Sequence, residues 1–441
     1  MARTVVIGGG AAGIAAARTL HDAGEDVLLV EAGDRLGGRA RSVSLPLPSP
    51  VTPAQAGVSR GSRGGDPNWE TPAFAGATGM GRWATLDEGC GWLHSAARNP
   101  WTTIAEAAGF TVDRSSANWR TQWRDLGYPP EDQKAAHAAF GAWSERAHAA
   151  LGGVDRPLSD FIAPDDRWRG MIDAISGYAN GAPLTQVSLH DWSAYEDAAT
   201  DDNWAVVEGY GTVVTGHAAG IPVRLSTPVT RIDHRGLRLK LETPAGTIDA
   251  DRVIVCVPTT VLAREDLAFD PPLPEKQAAA DALPLGLADK VFLAVDGPEW
   301  PANAHLVGNP YSACTASHRL SPFGLPIVES FFGGDCAEAL EDGDAAQFAI
   351  DELVALLGSD WRRRLTPLGA TRWRQVPYIG GSYSHARVGH AGQRAVLAAP
   401  VDDRIFFAGE ACHPHDFSTA HGAYATGVAA ARAICQRRVI A

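Results

Sequence analysis

Nowhere in these 441 residues is there an apolar run of eighteen, the length a membrane-crossing helix needs, so no span is expected. Cysteine is sparse. Cys90, Cys256, Cys314, Cys336, Cys412 and Cys435 are scattered without a C-x-x-C spacing, which argues against both a zinc site and a disulfide framework. Positive charge is also short: 38 Lys and Arg face 51 Asp and Glu, a formal net charge of −13. That balance disfavours nucleic acid and anionic membrane as partners and mildly favours cationic small molecules. Lysine is rare, confined to Lys134, Lys240, Lys276 and Lys290. The chain runs almost at once into a strand, leaving no room for a cleaved leader, and its tail, Gln436 to Ala441, has no apolar anchor. A cytoplasmic address is the expectation. His413-Pro414-His415-Asp416 is the nearest approach to a metal site; it reads as a solvated loop, and no metal is expected. No internal repeat is visible.

What is present begins at Val5-Val6-Ile7-Gly8-Gly9-Gly10-Ala11-Ala12-Gly13. The apolar run predicts a parallel strand buried on both faces. Gly8, Gly10 and Gly13 stand in G-x-G-x-x-G spacing: one for the tight turn, one for backbone approach to a pyrophosphate, one for helix-on-strand packing. The following segment, Ile14 to Ala23, predicts a helix whose N-terminal amides face the phosphates. Asp26 to Val30 reads as the next buried strand, and Glu31 stands where a carboxylate accepts from ribose hydroxyls. A dinucleotide site follows, built from Gly8, Gly10, Ala11, Ala12, Gly13, Glu31 and Ala32.

Further segments separate FAD from NAD. In Ala32-Gly33-Asp34-Arg35-Leu36-Gly37-Gly38-Arg39, Gly38 and Arg39 allow backbone and guanidinium to close on one pyrophosphate. Near the C-terminus, Arg404-Ile405-Phe406-Phe407-Ala408-Gly409-Glu410 reads as a short strand ending in small residues and an acid. His421 to Gly427 then opens a small-residue helix, Val428 to Cys435, bringing a second helix N-terminus to the ring.

With these segments the chain resembles the flavin-dependent amine oxidase family of monoamine oxidases, polyamine oxidases and lysine-specific demethylases. The resemblance covers most of the chain, in the family's order. It continues through Leu86-Asp87-Glu88-Gly89-Cys90-Gly91-Trp92-Leu93-His94, Val207-Glu208-Gly209-Tyr210-Gly211-Thr212-Val213 and Val253-Ile254-Val255-Cys256-Val257-Pro258. Gly286-Leu287-Ala288-Asp289-Lys290-Val291, Gly381-Ser382-Tyr383-Ser384 and Phe407-Ala408-Gly409-Glu410 complete it. It implies a discontinuous Rossmann-like FAD-binding domain (1–45, 82–94, 204–265 and 392–441). Interleaved with it would be a substrate-binding domain (95–203 and 266–391), a mixed β-sheet flanked by helices, so the fold class is α/β plus α+β. Val229 is placed near the adenine, and Val257, Gly409, Glu410, Ala420 and Trp373 among the flavin contacts. Monoamine oxidases attach flavin through a cysteine beyond the Gly381–Ser384 segment; none lies between Tyr383 and Arg404, so FAD is expected to be non-covalent.

The resemblance also implies roles. Lys290 holds a water against the flavin, its charged form disfavoured by desolvation. Tyr383 is an aromatic wall that tolerates an amine's partial charge. Thr419 stands where monoamine oxidases carry a second tyrosine, which makes a two-tyrosine cage doubtful. Trp373 packs beside the ring, and His94 binds or helps deprotonate an amine. In the run His190 to Trp204, Tyr195, Glu196, Asp197, Asp201 and Asp202 read first as a solvated loop, second as attraction for a distal ammonium. The expected reaction is amine to imine, then hydrolysis to a carbonyl compound, with O2 or an electron carrier as acceptor. C–C dehydrogenation, as in protoporphyrinogen oxidases and phytoene desaturases, and flavin binding without turnover are the alternatives. A homodimer is left open. Residues 46–81, rich in Pro, Gly and Ser, depart from the family as an insertion, solvated or folded over the entrance. Ala135 to Leu151 predicts a helix, and Leu237 to Leu241 a half-exposed strand of a meander.

Overall fold

A computed structural model describes residues 3–47, 83–115 and 117–438. The insertion expected at 46–81 therefore lies almost wholly outside the described residues.

Five strands form a wholly parallel sheet in the order Ile405–Phe407, Arg252–Val255, Arg3–Ile7, Asp26–Val30, Val223–Arg224. Alternate side chains enter different cores, as period-two geometry demands. Val6, Leu29, Ile254 and Phe406 pack with Ile14, Leu20 and Ile434. Val5, Ile7, Leu28, Val30, Val253, Val255, Ile405 and Phe407 pack on the opposite side with Leu239, Leu241 and Ile248. Continuous burial explains why these strands read as unbroken apolar runs.

The helix after the glycine turn spans Ala11–Asp22, three residues earlier than expected, and lies against Ala420–Arg438, one continuous helix that includes His421 to Gly427. Their approach is close: a Cβ built at Gly427 would sit 2.1 Å from the Ala12 carbonyl oxygen. The strand expected at Val253–Val257 ends at Val255, and Pro258 caps a short helix, Thr259–Ala263.

A second sheet orders Gly246–Ala250, Leu239–Thr243, Arg231–Asp233 and Ala268–Asp270. Its strand starts at Leu239, two residues later than the alternation suggested; Leu237 is 97% exposed in the preceding turn. The third sheet has the order Ala304–Val307, Ser317–Leu320, Ile327–Gly333, Ala288–Val295, Leu365–Ala370. The mixed sheet expected here is instead antiparallel at every pairing. Helix Arg169–Asn180 lies on it, and helix Pro130–Ala149 replaces the expected 135–151.

One expectation is overturned. Cys314 and Cys336 form a disulfide, with Cα atoms 4.8 Å apart. They flank the antiparallel pair Ser317–Leu320 and Ile327–Gly333, whose register sets Ser317 opposite Phe331. Hairpin geometry, invisible to cysteine spacing, brings them together. No helix among the described residues is long and apolar enough to cross a membrane.

Candidate active site

The carboxyl ends of the parallel strands and one face of the antiparallel sheet border a cavity of about 1300 Å³. At the glycine turn, Gly8 has φ +102°, and a Cβ there would lie 2.7 Å from the Cys256 carbonyl oxygen. A Cβ at Gly13 would lie 1.8 Å from the Gly8 oxygen, so Gly13 serves helix packing and does not line the cavity. At Gly10 the added atom would meet only the Gly37 oxygen, at 4.0 Å, and at Gly409 nothing within 4 Å. Both would project into the cavity these glycines border. The first-turn amides of Ala11–Asp22 have no acceptor within the helix, which suits an anion.

Glu31 stands at the edge of this cradle. Its carboxylate accepts from the Gly9 amide at 2.6 Å and the Gly33 amide at 2.7 Å, with lone pairs remaining for a ligand's hydroxyls. Ala11, Ala12, Ala32, Gly38, Val229, Val257, Gly409, Glu410 and Ala420 line the same cavity. Arg39 lines it too, and its Nη1 donates to Glu410 Oε1 at 2.9 Å and to the Ser382 carbonyl at 2.7 Å. Glu410 also accepts from Ser384 Oγ and the Ser418 amide. Burial alone would raise the Glu410 carboxyl; Arg39, the Ser384 hydroxyl and Arg394 reverse that and hold it below the usual range. These residues fit a dinucleotide with a ribose and a pyrophosphate.

The far half of the cavity is aromatic. Lys290 comes from Ala288–Val295, a strand buried at every residue. Its Nζ donates to the Asp87 carbonyl at 2.7 Å and pairs with Glu329 Oε1 at 2.9 Å. Trp373 donates its indole N–H to the Glu88 carbonyl at 3.3 Å, with its ring against Gly89. The Tyr383 hydroxyl donates to the Tyr178 carbonyl, and burial pushes its phenol well above the ordinary range. His94 Nδ1 lies 2.6 Å from Asn203 Oδ1; burial, with His421 beside it, lowers the imidazole to about 4.

Thr419 changes role. Its hydroxyl donates to the Asp416 carbonyl and accepts from the Gly422 amide at 3.0 Å, capping Ala420–Arg438. It lines the cavity, but its polar atom is spent on the helix. Of the acids in the His190–Trp204 run, Glu196 lines the cavity beside Tyr195. Asp197 pairs with His148, Asp201 with Arg120, and Asp202 binds the Ala97 amide.

His413, His415 and Asp416 hold their ligand atoms within 4.8 Å of one another. Arg98 already grips Asp416 with two nitrogens, at 2.6 and 2.8 Å. Burial works against it, but Arg98 and His421 keep that carboxyl far below its usual range.

Several lining residues carried no sequence signal: Trp119, which meets Trp92 edge to face at 5.0 Å, together with Tyr178, Arg319 and Glu329. Each sits at an ordinary helix, strand or loop position, and only the tertiary fold turns it inward.

Comparison with known proteins agrees with this geometry. The model of the flavin containing amine oxidoreductase family matches residues 11–435. Polyamine oxidase 4 of Oryza sativa subsp. japonica is 27% identical, over 99% of this chain and 89% of that protein. Polyamine oxidase 2 of Arabidopsis thaliana is 28% identical, over 99% and 88%. Human lysine-specific histone demethylase 2 is 26% identical, over 96% of this chain but 52% of its own length, so the chain spans about half of that relative. The chain belongs to the flavin containing amine oxidoreductase family.

Proposed function

We propose that this protein oxidises the C–N bond of a small amine to an imine, which water hydrolyses to a carbonyl compound. The observation that carries the reading is spatial. Residues from Gly8–Glu31, Val229, Val257 and Gly409–Ala420 border the same cavity as Lys290, Trp373 and Tyr383. The cofactor is FAD, as the family implies, and it is held non-covalently, since no cysteine lies between Tyr383 and Arg404 to attach it. When bound it supplies the two-electron acceptor, and O2 or a carrier takes the electrons onward.

We read the parallel sheet as a discontinuous dinucleotide-binding unit, with the antiparallel sheet and the 95–203 helices building the substrate side. The amides at the start of Ala11–Asp22 would hold the pyrophosphate and Glu31 a ribose. Tyr383, with its hydroxyl tied to Tyr178, presents a fixed ring face to a reacting carbon. Neutral His94 accepts a hydrogen bond from an amine; with an imidazole near 4 it is a weak base at pH 7, so orienting suits it better than deprotonation. Lys290 would orient a water beside the flavin. Trp92 and Trp119 exclude solvent from the apolar end. The Cys314–Cys336 bridge, a bond that persists in oxidising surroundings, weighs against the cytoplasmic address.

The test is an anaerobic titration of purified protein with mono-, di- and polyamines, following the visible spectrum. A two-banded flavin spectrum that bleaches with one amine class is expected. A flavin spectrum unmoved by every amine overturns the reading.

A further inference from the structure

Lys290 shares its place in the cavity wall with two other charges. In the register of the antiparallel sheet, Lys290 lies opposite Phe331 and Phe292 opposite Glu329. Glu329 and Phe331 are two apart on one strand and face the same side, so a lysine stem reaches the carboxylate diagonally. The ion pair measures 2.9 Å, with side chains 7% and 14% exposed. Arg319, in the third strand, stands directly across from Glu329. Its guanidinium lies between Trp92 and Phe323, 4.6 and 4.7 Å from the ring centres, and donates to Asn303 Oδ1 at 2.8 Å.

Two cations thus flank one carboxylate. Asp87 faces Lys290 from the strand Trp83–Asp87; burial raises its carboxyl, which the Ser42 hydroxyl and the Tyr210 and Gly211 amides bind. Burial also keeps the Cys90 thiol protonated. Lys290, Arg319 and Glu329 line the large cavity on one side. With Asp87 they line a chamber of about 20 Å³ on the other, room for one water. Lys290 stands in the partition between the two, with Gly91, Trp92, Arg319 and Glu329.

We propose that Glu329 is the positioning residue for Lys290: its carboxylate pins the ammonium in the partition and balances it against Arg319. The inference rests on the reading of Lys290 as the group beside the flavin. Without that carboxylate, two desolvated cations lie near each other, which disfavours the charged amine and frees the stem.

The scarcity of lysine makes the test clean. Reductive methylation with labelled formaldehyde, read by peptide mass spectrometry, resolves Lys134, Lys240, Lys276 and Lys290 separately in the native flavin-loaded protein. Lys276 is the internal control, because the carbonyls of Val396, Leu397 and Ala399 hold its ammonium independently. In Glu329→Gln, Lys290 should label about tenfold faster at pH 8, the equivalent of one pKa unit, with Lys276 unchanged. Turnover at saturating amine should fall about tenfold with KM within about twofold, the pattern of a lost contact that does not bind substrate. Glu329→Asp should restore most of both. Wild-type labelling of Lys290 in a Glu329→Gln protein that retains its flavin overturns the proposal. Lys290→Met separates the two claims. Wild-type turnover in that variant defeats the reading of Lys290, while the labelling still decides whether Glu329 holds it.

Discussion

The hydroxyl of Tyr383 donates to the backbone carbonyl of Tyr178, and the Tyr178 hydroxyl donates in turn to the Thr315 carbonyl at 2.8 Å. The chain of bonds runs from the cavity wall to the residue beside the Cys314–Cys336 bridge. It fixes two aromatic rings of the cavity wall. Tyr383→Phe keeps the ring but deprives the half-buried Tyr178 carbonyl of this donor, a loss of about 1 kcal/mol. The expected result is a lowered unfolding midpoint with turnover reduced severalfold. Tyr383→Ala also removes the wall and should lose far more. Equal turnover in the two variants would show that the ring face contributes nothing.

Glu31 ties two amides of the phosphate turn and keeps lone pairs for a ribose. Charge-assisted bonds of this type contribute about 1.5–3 kcal/mol, so Glu31→Ala should weaken FAD binding by roughly ten- to a hundredfold. The absorbance ratio of flavin to protein after gel filtration measures it directly. The flavin-free protein should also unfold more readily, since the Gly9 and Gly33 amides lose their acceptor, so the flavin ratio and not the unfolding midpoint tests the binding role.

Helix contact makes opposite predictions for two glycines. Gly141 lies within Pro130–Ala149 with nothing within 4 Å of an added Cβ, so Gly141→Ala should stabilise by up to about 1 kcal/mol through helix propensity. Gly427 gains the same propensity, but its Cβ would overlap the Ala12 backbone. Backbone moves less readily than a side chain, and overpacking of this kind costs about 1–3 kcal/mol. Gly427→Ala should therefore destabilise, and it should loosen flavin as well, because Ala12 belongs to the phosphate turn. Denaturant midpoints for the two variants give the comparison.

Gly8, Gly10, Gly13 and Glu31 were legible because their reasons are local: a turn, a close approach and a carboxylate, each at fixed spacing. Lys290 was legible because its segment resembles a known one. Its partner was not, since Glu329 lies 39 positions away and meets it only through strand register. The bonds of Thr419 were not legible either: it lines the cavity, and its hydroxyl also caps the helix that follows. The apparent strand start at Leu237 failed because alternation continues through a turn whose carbonyls bind Arg404, while the strand pairing begins at Leu239. Cys314 and Cys336 show the same blindness, for the hairpin that joins them leaves no trace in their spacing.

Acid should destabilise this protein through its buried imidazoles. His385 is 3% exposed, and neither ring nitrogen has a hydrogen-bond partner among the described residues. Burial, with Arg394 and Arg387 adding to it and Asp191 opposing, lowers its imidazole to about 4. Burial lowers His94 to about 4 and His305 to about 3. The sign follows from linkage. Between about 6.5, the unfolded value, and about 4, the unfolded chain binds protons that the native protein refuses, so stability is lost as pH falls through that window. Each such imidazole contributes a slope of up to about 1.36 kcal/mol per pH unit. Thermal midpoints measured from pH 7.5 to 4.5 should fall steeply below 6.5. His385→Leu, apolar and similar in size, should make the fall shallower by close to one proton's share and leave the midpoint at pH 7.5 equal or higher. A parallel curve for that variant would mean that His385 is protonated in the folded protein, and that Asp191 beside it overrides burial.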